Sequence, residues 1–155
     1  MQPIRPKCFF IALIAGWVVA IFLPGAILAA AGLSPLAAGR NLAAATFEIA
    51  DEVAPAAKIG FALIFALLLY ARRRLVRIPA LPADMLIGCV AMLAILALLP
   101  PAWSRGFGIG LAGSRFDPAL VAVYLLGGAA AGIAFHLAEN KCRRRDYPDD
   151  RSSTA

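Results

Sequence analysis

Charge is what this sequence has least of. Asp, Glu, Lys and Arg make up 15% of its 155 residues, against about 25% in a soluble domain. Not one charged residue lies between Lys7 and Arg40. With 62% apolar residues and a mean hydropathy of +0.81, the composition excludes both a soluble globular domain and a disordered chain. Histidine occurs once, as His136. That excludes a histidine-built zinc site, which wants three or four ligands at suitable spacing. Cysteine occurs three times, as Cys8, Cys89 and Cys142, with no C-x-x-C. Dithiol exchange needs two paired thiols on a reactive face, so three inert thiols are expected. No Ser/His/Asp set and no paired carboxylates facing a pocket are recognisable. The reading is therefore of a chain that is not an enzyme, with no catalytic residue, cofactor or metal assigned.

What is present is long apolar runs. A spanning helix takes about 20 mostly apolar residues. Four segments qualify, at about 9–31, 53–71, 85–103 and 118–138. They take up most of residues 1–141, a single membrane domain, and leave 142–155 as a basic then acidic tail expected to be largely disordered. The second segment is the weakest. Only thirteen residues, 59–71, separate Lys58 from Arg72, which covers about 20 Å of a roughly 30 Å hydrocarbon core. Lys58 and Arg72 would then have to snorkel to the two interfaces. By these boundaries no Asp or Glu falls inside the core of a span.

Positive charge orients the bundle. The net charge is +6, from 15 Lys+Arg and 9 Asp+Glu. With four spans and a cytoplasmic N-terminus, one side holds Arg5, Lys7, Arg72, Arg73, Arg74, Arg77, Lys141, Arg143, Arg144, Arg145 and Arg151, eleven in all. The other side holds Arg40, Lys58, Arg105 and Arg115. That asymmetry places both termini in the cytoplasm. The basic excess thus reads as orientation, and no nucleic-acid partner is expected, because the basic stretch has no aromatics among it. Arg outnumbers Lys twelve to three and Ala is abundant, a bias that suggests a GC-rich bacterial genome and an inner (plasma) membrane. Arg5 and Lys7 before an apolar run also resemble the start of a signal peptide. The run is long for an h-region, so a retained span is the expectation.

The outer side carries its own pattern. Ser34-Pro35 reads as a helix start, and Leu42, Thr46, Ile49 and Val53 share one helical face. An amphipathic helix over about 35–53 in the first outer loop follows. Glu48, Asp51 and Glu52 on it, with Lys58 beyond, form a candidate outer charge cluster. Lys58 is expected either to pair with Asp51 or Glu52, or to snorkel without a partner. The Gly106–Gly113 stretch reads as a flexible turn, with Trp103 and Phe107 as interfacial aromatics. On the inner side, Lys141, Arg143, Arg144 and Arg145 are candidates for anionic lipid headgroups.

Small residues suggest how the helices meet. Ala12, Gly16 and Ala20 line one face of the first span, and Gly128 and Gly132 one face of the fourth. Pro24 should kink or break the first span near its outer end. His136 stands one turn before Glu139 and shares a face with Asn140. A polar group completing the helix end is the plainer reading, and a proton-linked role the sharper one. The expected function is a non-catalytic accessory or interaction protein that packs against another membrane protein. A small self-associating channel or transporter is the alternative.

Overall fold

The computed structural model describes residues 6–34, 38–53, 55–75, 80–98 and 118–146. Among these the chain is all-helical: α1 (Pro6–Ala30), α2 (Leu42–Glu52), α3 (Pro55–Leu75), α4 (Ala80–Leu98) and α5 (Pro118–Asp146). Four of them, α1, α3, α4 and α5, are long and apolar enough to cross a membrane. Proline sets three of the starts. Pro6, Pro55 and Pro118 each stand first in their helix, where the missing N–H would have had no partner anyway.

Several boundaries move from those expected. The first-loop helix begins at Leu42, not near 35. Gly39 has φ +71°, a left-handed backbone that a right-handed helix does not pass through. Asn41 then supplies the cap, its Oδ1 accepting from the Ala44 N–H at 2.8 Å. α4 occupies 80–98 where 85–103 was expected. Pro82 is tolerated in its first turn, and the helix stops ahead of Pro100-Pro101. α5 runs to Asp146, so residues 142–146 are helix instead of tail. Arg143, Arg144 and Arg145 sit in its last turn, where cations favour the carbonyl end of the helix dipole. α1 passes unbroken through Pro24. Gly127 of α5 lies so close to that ring that a Cβ there would meet Pro24 Cγ at 2.6 Å.

α5 is the central helix, packed along α1 and α4, while α3 lies against α4 and touches α1, and α2 packs on α1. α4 and α5 approach backbone to backbone. A Cβ on Gly88 would fall 1.9 Å from the Gly128 carbonyl oxygen, and one on Gly132 would fall 2.1 Å from that of Asp84. Side chains fill the other seams. Ala57, Phe61, Phe65 and Leu69 recur every fourth residue on the buried face of α3. Phe65 and Phe9 each meet Phe135 edge to face, with ring centroids 5.9 and 5.6 Å apart. The outward faces are apolar as well: Ile14 and Val18 on α1, Ile59, Leu63 and Leu67 on α3, Leu86 and Val90 on α4 are all exposed. In water such a surface would be a liability. Around a bundle of spans it faces lipid tails.

Candidate functional site

One end of the bundle gathers Arg72, Arg73, Asp84, His136, Glu139 and Arg143. The start of α1, the end of α3, the start of α4 and the end of α5 meet there, so the first and last helices have their termini at the same end. Two clusters form. In the first, Arg72 pairs with Asp84 Oδ1, and Asp84 Oδ2 meets His136 Nδ1 at 3.1 Å. Asn140 Nδ2 lies 2.9 Å from His136 Nε2. With that amide donating, a neutral imidazole carries its proton on Nδ1 and donates it to Asp84. In the second cluster, Arg73 pairs with Glu139 Oε2, while Arg143 Nη2 donates to Oε1 at 2.8 Å. The Arg73 guanidinium also lies 5.1 Å from the Phe9 ring centre and 5.4 Å from that of Phe135.

Asp84 is 1% exposed and Glu139 7%, so water does little for either charge and the arginines must. Arg72 was expected to snorkel to the interface, and Arg73 to lie on the cytoplasmic side beyond the second span. Instead α3 continues to Leu75, and its 21 residues span about 31 Å. Asp84, expected just outside its span, lies in the second turn of α4. Pairing a buried charge costs less than leaving it alone in a low-dielectric interior. Among the described residues the compensation is incomplete: Arg72 Nε and Arg73 Nη1 are buried without a hydrogen-bond partner.

The cysteines correct the expectation of three inert thiols. Cys8 and Cys142 form a disulfide joining the start of α1 to the end of α5, with Cα atoms 5.5 Å apart across 134 residues of chain. Cys89 stays free, its thiol 3.6 Å from the Leu125 carbonyl. The pairing had a signal: Cys8 and Cys142 each flank an apolar run on the same predicted side. Absence of C-x-x-C concealed it, because adjacency here comes from packing and not from spacing.

The other candidates fall as follows. Glu48 pairs with Arg40. Lys58 meets no carboxylate among the described residues; its ammonium reaches the Asp51 backbone carbonyl at 3.5 Å. Glu52 closes α2. Ala12, Gly16 and Ala20 are buried, and Gly16 faces the Ala131 carbonyl, Phe65 and Phe135. Gly128 and Gly132 face α4. Of the four headgroup candidates Lys141, Arg144 and Arg145 are exposed, whereas Arg143 is drawn to Glu139. The Gly106–Gly113 turn, Trp103, Phe107, Pro35, Arg5, Arg77, Arg105, Arg115 and the tail beyond 146 lie outside the described residues. Among the described residues no group of three or more His, Cys, Asp or Glu is arranged to hold a metal ion.

Sequence reasoning missed Arg72, Arg73 and Asp84 as interior groups. Each stands at the edge of an apolar run, where sequence alone cannot tell an interfacial charge from one folded inward against a third helix. The chain matches no protein-family model, no curated protein and no solved structure.

Proposed function

We propose that this chain is a non-catalytic, multi-pass protein of a bacterial inner (plasma) membrane that works by packing against another membrane protein. The observation that carries this reading is the internal pairing of its inward charges, Asp84 with Arg72 and His136, Glu139 with Arg73 and Arg143. A transport or catalytic carboxylate has to meet an ion or a substrate; these meet other helices of the same bundle. The glycine faces are also engaged internally, at Gly16, Gly88, Gly128 and Gly132. One exposed face for a neighbour is that of α3, where Ile59, Leu63 and Leu67 form one stripe.

The same reading puts both termini in the cytoplasm, following the eleven cations sorted to that side. Anionic headgroups then lie against Lys141, Arg144 and Arg145. α2 lies at the outer surface.

Extraction in mild detergent with mass measurement tests the proposal. The expected result is a complex with a different membrane protein, which Leu63→Trp combined with Leu67→Trp disrupts. Recovery of the chain only as a homo-oligomer would sink it. A second reading, a small homo-oligomeric transporter, is favoured by the Asp84–His136 contact, two groups between which a proton can pass.

A further inference from the structure

Away from the disulfide, α1, α2 and α3 line an open cavity of about 380 Å³. That falls within the roughly 300–1,000 Å³ range of small-molecule sites. Its lining includes the aromatic side chains Trp17, Phe22 and Phe47 and the charged residues Glu48, Asp51 and Lys58. Trp17 is fixed in place, its indole N–H donating to the Lys58 carbonyl at 2.9 Å, and Phe22 meets Phe47 edge to face at 5.1 Å.

The charged part of the lining has capacity to spare. Lys58 has three donors, and its contact among the described residues is the Asp51 carbonyl at 3.5 Å, the outer limit of a hydrogen bond. Glu48 gives one oxygen to Arg40, and its Oε2 is buried with no hydrogen-bond partner among the described residues. Among the described residues the Asp51 carboxylate is in no ion pair. The cavity therefore offers an underused cation, Lys58, beside an underused carboxylate, Asp51.

We infer that this cavity is a binding site for the headgroup of a zwitterionic phospholipid bearing a phosphate and a primary ammonium. Lys58 takes the phosphate. Asp51 accepts a hydrogen bond from the ammonium, which a trimethylated ammonium cannot donate. A headgroup with net negative charge meets the Asp51 carboxylate with no compensating cation of its own. The acyl chains have a path as well: Ile14 and Val18 are exposed on α1 at a spacing of four, the register that leads on to Phe22 in the cavity wall.

The test uses the purified full chain in detergent, with phosphatidylethanolamine, phosphatidylcholine or phosphatidylglycerol added. Native mass spectrometry counts bound lipid, and thermal unfolding reads its effect. Phosphatidylethanolamine should give a single retained lipid and the largest rise in midpoint. Lys58→Gln and Asp51→Asn should each weaken its binding by about tenfold or more, as the loss of a charge-assisted hydrogen bond does. Phe47→Ala, at a side chain exposed enough to leave the fold unchanged, should weaken it too and supports the inference even where a charge variant fails to fold. Equal retention of phosphatidylglycerol, or phosphatidylethanolamine binding unchanged in the folded variants, would overturn it.

Discussion

Asp84 shows how one side chain ties three helices together. It sits on α4, receives Arg72 from α3 and contacts His136 from α5. Removing its charge strands Arg72 in the interior, and breaking a buried pair in this way costs about 3–5 kcal/mol. Asp84→Ala should therefore lower stability in detergent by that amount, measured from thermal or denaturant unfolding. Replacing both partners is a different experiment. The double variant Asp84→Leu with Arg72→Met removes the desolvation cost of both charges, and the buried Arg72 Nε has no partner among the described residues. It should recover most of the lost stability. A double variant no more stable than Asp84→Ala would show that the pair does something beyond neutralising itself.

Among the elements, the α4–α5 seam is the most demanding. Gly88 and Gly60 are both helical glycines, yet they should respond oppositely to alanine. At Gly88 a Cβ would run into the backbone of Gly128, which cannot yield without parting the helices. Gly88→Ala should cost about 1–3 kcal/mol or more. At Gly60 the nearest atom is the tip of a flexible side chain, Ile95 Cδ1. Gly60→Ala should be neutral or slightly stabilising, since alanine is the better helix former by about 1 kcal/mol. Paired unfolding curves check both. The disulfide acts between elements also, closing 134 residues of chain. Its reduction in the purified protein should lower stability by about 2–4 kcal/mol. The G-x-x-x-G of α5 was legible from spacing, because small residues at every fourth position have an evident packing use. Gly88, its partner, was not, since a single glycine in an apolar run gives no register.

The whole molecule was the most legible scale. Four apolar runs separated by charges are a direct consequence of membrane thickness, and four long helices answer to them. The charged end was not legible, because its pairs join residues as far apart as Arg73 and Glu139. The orientation proposed from charge carries its own check. With termini in the cytoplasm, the Cys8–Cys142 bond faces a reducing pool. Thiol trapping in growing cells should then find the two cysteines reduced, with the bond forming on exposure to air. A fully oxidised pair in cells would place that end of the bundle outside. On the proposed reading, the Asp84 and Glu139 clusters hold helices together and move nothing across the membrane. Proton flux through the purified chain in liposomes, under an imposed pH gradient, tests this most directly. Wild type and Asp84→Asn should both leak at the rate of empty liposomes. A flux well above that rate in wild type, abolished by Asp84→Asn, would contradict it.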